Sequence, residues 1–246
     1  PIESEKTKER LKKQGFGEDI LTVKLLNFRN IDQVAEEAGK FDFVLADLGV
    51  SSMQIDNPER GFSYKVDGPL DLRMNPQKGI SAAERLKEVT QEELYGMLLE
   101  NADEPYAEEI SKAVIRQRRI RPIETTTDLK QVIEQALSFI PEKERKEAVK
   151  KSCQRSFQAL RIDVNSEFEV LYDFLEKLPQ VLVPNGRAAI LTFHSGEDRL
   201  VKKSFKQFYK EGIYSDICKD VIRPSQEECA RNSRAKSTKM RWAIRA

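Results

Sequence analysis

The stretch FDFVLAD, residues 41–47, followed by LGVSS, residues 48–52, is the part of the sequence that decides the fold. A mostly apolar run that ends in an acidic residue is typical of a buried parallel strand. The residues before it predict a helix over 3–13, a short strand over 20–26 and a second helix over 31–38. This helix–strand–helix–strand order predicts an open α/β sheet.

Residues 48–76 interrupt this order with many turn-forming residues and several aromatic ones, which predicts a long ordered loop. Residues 81–151 have helical patterns with starts near Thr127 and Pro141 and no strand signal. The α/β order then resumes, and its predicted elements are one long helix over 156–178, a turn at 184–186, a strand over 187–193, a basic helix over 197–209 and a final strand over 239–244. We therefore predict a core domain of residues 1–76 and 152–246 with an all-helical insertion over 77–151.

The composition excludes several classes of protein. The chain of 246 residues has a formal net charge of +1, so attraction to nucleic acid must come from local clusters of basic residues. No apolar run is long enough to span a bilayer and no signal segment is visible, which predicts a cytoplasmic protein without membrane contact. The three cysteines have no metal-ligand spacing, so we predict a reduced protein without a metal site.

Candidate site residues follow the 41–47 strand. Ligands of open α/β sheets bind beyond the carboxyl ends of the strands, where Asp47 would accept hydrogen bonds from an amine or a hydroxyl. Gly49 permits close backbone approach, and Ser51 and Ser52 add hydrogen-bond donors. The alternative is an aspartate that caps the next turn.

A second candidate site is the loop that contains Arg60, Phe62, Tyr64 and Arg73. Arginines mixed with aromatic residues can bind a phosphate and a planar base, whereas the alternative is a loop packed on itself through Arg–Asp pairs. His194 is the chain's single histidine, so an imidazole base, if the reaction needs one, must be this residue; the alternative is a structural role.

Basic residues cluster in three places. They lie within residues 116–121, 202–210 and 231–245, and such clusters suit a phosphate backbone, although a solvated face is the alternative. No phosphate-binding GxGxxG or Walker loop and no HExxH or GxSxG motif occurs in the chain.

Five segments together resemble one known family, the MraW/RsmH family of ribosomal-RNA cytidine methyltransferases. They are DLGVSSMQ (47–54), ERGFSYKVDGPLDLRM (59–74), RSFQALRIDVNSE (155–167), FHSGEDRLVK (193–202) and NSRAKSTKMRWA (232–243). The resemblance extends over nearly the whole chain, and several long motifs in a fixed order make it highly specific.

The resemblance implies a class I methyltransferase fold, Rossmann-like, with an inserted helical domain. It implies transfer of a methyl group from S-adenosylmethionine to the exocyclic N4 amine of a cytidine in the 16S RNA of the small ribosomal subunit. By motif position, Phe28, Asp47 and Gln54 match the family's cofactor contacts. We expect an acceptor for the amine at Asp47 or a nearby carbonyl, with Ser51, Ser52 and His194 as lesser catalytic candidates. The residues expected to contact RNA are Arg60, Phe62, Tyr64, Arg73, Arg155, Arg199, Arg234, Lys236 and Lys239.

The chain also departs from the family pattern. The family's glycine-rich cofactor loop and the acid that holds the ribose are absent, and the chain begins about where the family continues after that acid, so we expect a gap in the sheet. Gly196 replaces a usual leucine, residues 101–104 replace a glycine-containing stretch, and Lys151-Ser152 stand where His-Pro is usual. Two alternatives stay open: an RNA-binding paralogue without catalysis that acts in ribosome assembly, and a methyltransferase for a protein or a small molecule. A homodimer is a further open alternative.

Overall fold

Strand β1 covers Phe41–Asp47, as the sequence predicts, and pairs in parallel with strand β2, Leu182–Thr192. The computed structural model describes residues 2–17 and 19–246. Two further strands, β3 (Tyr214–Ile217) and β4 (Lys239–Arg245), complete a mixed sheet in the order β1-β2-β4-β3, in which β4 is antiparallel to both of its neighbours. The predicted α/β class is confirmed.

Helices pack against the sheet and make up the middle of the chain. The helices are α1 (Ile2–Lys13), α2 (Ile31–Ala38), α3 (Ser52–Asp56), α4 (Ala82–Glu88), α5 (Gln91–Ala102), α6 (Ala107–Ile120), α7 (Thr126–Ala136), α8 (Glu142–Asn165), α9 (Glu167–Val181), α10 (Ser195–Lys210) and α11 (Gln226–Arg231). Short 3-10 turns cover Phe28–Asn30, Pro58–Arg60 and Ser233–Ser237. Side-chain caps explain several helix starts, because Ser81, Thr90 and Thr125 each accept a hydrogen bond from the third helical residue.

Buried apolar side chains form two clusters. The helical cluster extends from Leu70 to Leu160 and lies among α4–α8, whereas the sheet cluster extends from Leu171 to Ala243 and joins α9, α10 and the strands. The long loop before α4 is part of the helical cluster, because Leu70 and Leu72 are each 1% exposed. The loop is therefore a packed segment rather than a linker.

The strand predicted over 20–26 is wrong. Residues 21–27 have no regular structure, and Ile20 and Leu25 are 64% and 70% exposed. A strand requires a neighbour that takes up its backbone hydrogen bonds. β1 lies at the end of the sheet order, and no described residue pairs with its other edge.

The single helix predicted over 156–178 is also wrong, because Ser166 divides it. Ser166 has a left-handed backbone (φ 49°, ψ 44°), and its N–H donates to carbonyls of the last turn of α8. This residue ends α8 and α9 starts directly after it, so the two helices meet at a bend.

The turn predicted at residues 184–186 lies inside β2 and forms a bulge. Leu182 is opposite Phe41, but the next partner, opposite Phe43, is Arg187. A side chain on Gly186 would lie 2.8 Å from the carbonyl oxygen of Val183, so this close approach requires glycine. The strand therefore begins five residues earlier than the predicted 187.

Candidate functional site

The site forms at the carboxyl ends of β1 and β2, which lie at the same edge of the sheet because the strands are parallel. Asp47 is in register with Leu191, and the N–H of Leu48 donates to the carbonyl of Leu191 at 3.2 Å. The segments that follow the two strands are therefore neighbours. Gly49, with a positive φ of 89°, passes the ring of Phe193 so closely that a side chain there would meet it at 3.5 Å.

A cleft of about 510 Å³ opens at this edge. Its walls are mostly apolar, and its polar side chains include three carboxylates, two amides (Asn27 and Asn165) and the ammonium group of Lys24. The apolar residues include Phe28, Ile31, Val34, Val44, Ala46, Leu48, Met74, Val170, Leu171 and Phe174, and the polar group includes Asp47, Asn165, Glu167 and Glu197. Apolar walls with a few convergent polar groups are the usual form of a small-molecule site.

Asp47 lines the cleft with an exposed carboxylate. Within residues 2–17 and 19–246 it forms no hydrogen bond and no ion pair, and the following helix α3 is capped by Ser51 instead. The alternative in which Asp47 caps the next turn therefore does not describe this structure. Its carboxylate is available to a ligand.

Phe28 lies on the opposite wall of the cleft. Its ring meets that of Phe174 edge to face, with centroids 5.3 Å apart. Asn27 caps the short turn that begins at Phe28, and Arg29 forms an ion pair with Asp173, so the segment is fixed on α9. The structure thus brings Phe28 and Asp47, two of the three predicted cofactor contacts, to one cavity.

Ser51, Ser52 and Gln54 belong to the start of α3 and do not line this cleft. The N–H of Ser51 donates to Oε1 of Gln54 at 2.8 Å, and the N–H of Gln54 donates to Oγ of Ser51 at 3.3 Å. This reciprocal cap occupies both side chains. The three residues follow Asp47 closely along the chain, but their side chains act locally.

His194 and Glu197 form a second reciprocal cap, at the start of α10. The N–H of Phe193 donates to Oε2 of Glu197 at 2.8 Å, and the N–H of Glu197 donates to Nδ1 of His194 at 3.4 Å. Their side chains are 10% and 4% exposed. Glu197 lines the cleft, whereas His194 does not. The sequence places Glu197 in the same candidate segment as His194 but assigns it no role, because an acid three residues after a strand-end histidine is typical of an ordinary helix cap.

Burial tends to raise the pKa of the Glu197 carboxyl, but other groups outweigh it. The hydrogen bond and charge of His194, the Phe193 N–H and the nearby Arg161 guanidinium hold this pKa below its usual value. Glu167 pairs with Arg161 through two contacts of 2.7 and 2.9 Å. The polar atoms of Glu167, His194 and Glu197 lie within 4.8 Å of one another, so two carboxylates and an imidazole meet at this corner beside the Arg161 guanidinium.

Asn165 connects the cleft to the preceding loop, and sequence reasoning missed it. Its Oδ1 accepts from the N–H of Met74 at 2.7 Å, and its Nδ2 donates to the carbonyl of Leu72 at 2.8 Å. The same Nδ2 donates to the backbone carbonyl of Arg161 at 2.8 Å. These bonds hold Met74 at the cleft wall, and no local sequence signal predicts them.

The loop residues expected to contact RNA are held by bonds within the loop. Arg60 donates to the carbonyls of Arg73 and Met74 at 2.8 and 2.9 Å and lies 5.6 Å from the ring centre of Phe62. Arg73 pairs with Asp71 at 2.7 Å. Burial tends to raise the pKa of Asp71, but the bonds from Arg73 lower it overall. The ring of Tyr64 meets that of Phe157 at 5.8 Å.

The remaining residues expected to contact RNA are scattered over the surface. Arg199 pairs with Asp103, Arg234 with Asp56 and Lys239 with Asp198, at 3.1, 2.7 and 3.6 Å. In the described part of the chain, Arg155 and Lys236 have no ion-pair partner, so their charges are uncompensated.

A strand-end acid beside an apolar cleft, on a mixed α/β sheet joined to a helical unit, is the arrangement of a class I methyltransferase. The MraW methylase family matches residues 3–246, and the chain belongs to it. It is similar to proteins named ribosomal RNA small subunit methyltransferase H 1 from Agathobacter rectalis and Lachnoclostridium phytofermentans. Each is 70% identical over the whole chain, which covers 71% and 68% of their lengths. A relative from Alkaliphilus metalliredigens, named ribosomal RNA small subunit methyltransferase H 2, is 64% identical over the whole chain and 70% of its own length.

The predicted family and the predicted enzyme class, a methyltransferase, are therefore confirmed. Among the described helices, none combines the length and the apolar character that crossing a bilayer requires.

Proposed function

We propose that this protein transfers a methyl group from S-adenosylmethionine to the exocyclic N4 amine of a cytidine in the 16S RNA of the small ribosomal subunit. The observation that carries the proposal is the exposed, unpaired carboxylate of Asp47 beside an apolar cleft at the carboxyl edge of the sheet. The names of the relatives, which cover the whole chain at 64–70% identity, support ribosomal RNA as the substrate.

The residues of the cleft fit one side of S-adenosylmethionine. Phe28 and Phe174 offer an aromatic wall for a planar base, and Asp47 offers an acceptor for hydroxyl or amine hydrogens. When bound, the cofactor supplies a methyl group that is already activated by its sulfonium. Gln54, the third contact by family match, does not line the cleft and its side chain caps α3, so its contact with the cofactor stays a prediction.

The protein's own residues orient the base and exclude water. The amine of cytidine is a weak nucleophile because its lone pair is delocalised into the ring, so alignment and an acceptor for its hydrogens supply much of the acceleration. Asp47 or a nearby backbone carbonyl is the proposed acceptor, and Ser51, Ser52 and His194 are lesser candidates. The target base must leave its stack to reach the cleft. Phe62 and Tyr64 stay predicted stacking partners for RNA, although neither lines the cleft.

A row of lysines supports contact with the RNA backbone. Lys202, Lys203, Lys206 and Lys210 are exposed on α10, the helix whose first turn carries Glu197 at the cleft. Within the described residues they form no ion pair. Positions three and four apart share a helix face, so the four charges form one stripe that leads away from the site. We propose this stripe, the loop of Arg60–Arg73 and the helical insertion over 77–151 as the RNA-binding surface, together with Arg155, Arg199, Arg234, Lys236 and Lys239.

Calorimetric titration with S-adenosylmethionine, followed by methylation of small ribosomal subunits with labelled cofactor, tests the proposal. Asp47→Ala should weaken cofactor binding by about 10- to 150-fold, because one hydrogen-bonded charged group contributes about 1.5–3 kcal/mol. Asp42→Ala is the matched control, since Asp42 is exposed on the same strand and does not line the cleft.

If Asp47→Ala bound the cofactor and methylated RNA as well as the unsubstituted protein, the proposed role of Asp47 would be contradicted. Absence of any cofactor binding by the unsubstituted protein, with salt-dependent RNA affinity retained, would instead favour the paralogue without catalysis.

A further inference from the structure

The carboxylate of Glu197 is held rigidly with one side toward the cleft. Its Oε2 accepts from the N–H groups of Phe193 and His194 at 2.8 and 3.4 Å, and its Oε1 lies 3.2 Å from Nε2 of His194. Each carboxylate oxygen has two acceptor sites, so Oε1 keeps capacity for one more donor. Glu197 shares the cleft wall with Asp47 and Asn165.

The side chain of His194 contacts Glu197 and does not line the cleft. Its Nδ1 accepts the N–H of Glu197 at 3.4 Å, and its buried Nε2 lies 3.2 Å from Oε1 of Glu197 without a hydrogen-bond partner among the described residues. Phe168 packs against the other side of the imidazole, with ring centroids 5.9 Å apart. Both nitrogens therefore lie close to Glu197, and the imidazole does not line the cleft.

The charges around Glu197 favour its ionised form. Arg161 of α8 contributes a permanent positive charge, and Nε2 of His194 lies 3.2 Å from Oε1. Glu167 of α9 opposes them with a like charge, but both of its oxygens are paired with Arg161. The corner therefore holds a buried acceptor that stays a carboxylate at neutral pH.

We propose that Glu197 is the specificity-determining residue of the site, accepting a hydrogen bond from the exocyclic amine of the target base, and that His194 is the positioning residue that holds it. The inference rests on the proposed function and names the group that reads the base. A fixed carboxylate pairs with the amine of cytosine, whereas the carbonyl of uracil at the same place would meet it as a second acceptor. Leaving such a buried acceptor unpaired is what gives hydrogen-bonding sites their high selectivity.

Glu197→Gln tests the acceptor. Glutamine at this position preserves the cap of α10, so the variant should fold. We expect S-adenosylmethionine affinity within about two-fold of the unsubstituted protein and kcat/KM for RNA lowered by about 100-fold, the loss expected for one charged hydrogen bond. Unchanged kcat/KM would overturn the inference, whereas failure of the unsubstituted protein to bind the cofactor would overturn the proposed function instead.

Base discrimination provides a second measurement. After mass spectrometry has located the methylated cytidine, RNA with uridine at that position is compared with the natural RNA in binding assays. The unsubstituted protein should prefer cytidine, and Glu197→Gln should bring the affinity ratio toward one, because the amide group donates as well as accepts. An unchanged ratio in the variant would contradict the assignment.

His194→Asn tests the positioning role through the pH profile. Asparagine retains the cap at the start of α10 but removes the Nε2 contact. Because burial then dominates, the pKa of Glu197 should rise, and the acid limb of kcat/KM should move to higher pH. A uniform loss of rate with the acid limb in place would mean a purely structural histidine and would overturn this part of the inference.

Discussion

The side chain of Asn165 accepts a hydrogen bond from the backbone N–H of Met74 at 2.7 Å and so ties the loop of residues 59–74 to the junction of α8 and α9. Asn165→Ala would leave this N–H and the carbonyl of Leu72 without their partner. Buried groups without partners cost about 1–3 kcal/mol, so we expect a loss of that size in the free energy of unfolding.

Because Met74 lines the cleft, we also expect Asn165→Ala to raise KM for RNA. Chemical denaturation and steady-state kinetics measure the two effects. Asn75→Ala is the control, since Asn75 is exposed and its side chain, within the described residues, accepts only from the N–H of nearby Gln77. If the two variants had the same free energy of unfolding and the same KM for RNA, the Asn165 hydrogen bonds would contribute to neither quantity.

Gly196 and Phe168 are in such close contact that no larger residue fits at position 196. A methyl group on Gly196 would lie 2.5 Å from Cζ of Phe168 and 3.0 Å from Cε1. Gly196→Ala should therefore lower the free energy of unfolding by about 1–3 kcal/mol through overpacking. Phe168→Leu should relieve the clash, so the double variant should lose less stability than the two single variants together.

The control for this cycle is Gly96→Ala in α5, where a methyl group meets open space. Alanine is the better helix former, so Gly96→Ala should raise the free energy of unfolding by about 0.5–1 kcal/mol. Thermal or urea unfolding of the five proteins checks both results. Additive losses at positions 168 and 196 would show that the two side chains do not compete for space.

Local patterns were sufficient to predict the parts of the fold in which periodicity and burial agree. The 41–47 strand, α2 and the helical run after residue 81 occur as predicted, and Asp47 was located correctly at a strand end beside a cleft. These features depend on short-range patterns of apolar side chains and on the rule that ligands bind at the carboxyl edge.

Contacts between distant segments decided the features that sequence reasoning missed. β3 has four residues and exists because it pairs with β4, so its own pattern is too short to predict it. The bend at Ser166 has no glycine or proline as a signal, and neighbouring Asn165 bonds to residues 72 and 74. Glu197 resembles an ordinary helix cap until its position at the cleft is known.

Asp198 should make stability depend on pH in the acid range. Burial tends to raise its pKa, but the bond and charge of Arg241, and then the charge and bond of Lys239, lower it overall. A carboxyl whose folded pKa is lowered contributes stability above its unfolded pKa of about 3.9 and loses it as the pH falls through the folded value.

We therefore expect Asp198→Asn to lower the free energy of unfolding by roughly 1–3 kcal/mol at pH 7, where it leaves buried Arg241 without its charged partner. The difference from the unsubstituted protein should shrink below about pH 4, as the natural carboxyl protonates. Urea unfolding at pH 7, 5 and 3.5 measures it, with exposed Asp42→Asn as the control. A difference that stays constant down to pH 3.5 would mean that the charge of Asp198 is not the cause.

The lysine stripe of α10 should determine part of the salt dependence of RNA binding. Each phosphate contact in single-stranded RNA contributes about 0.7 to the slope of log affinity against log salt, so four contacts contribute at most about 2.8. Replacing Lys202, Lys203, Lys206 and Lys210 with glutamine should weaken RNA binding and reduce the slope by up to that amount. The lysine stripe does not line the cleft, so cofactor affinity should be unchanged.

The matched control replaces four exposed lysines of α1 (Lys6, Lys8, Lys12 and Lys13) with glutamine and makes the same change in net charge. If both quadruple variants reduce the slope equally, net charge rather than the stripe governs binding.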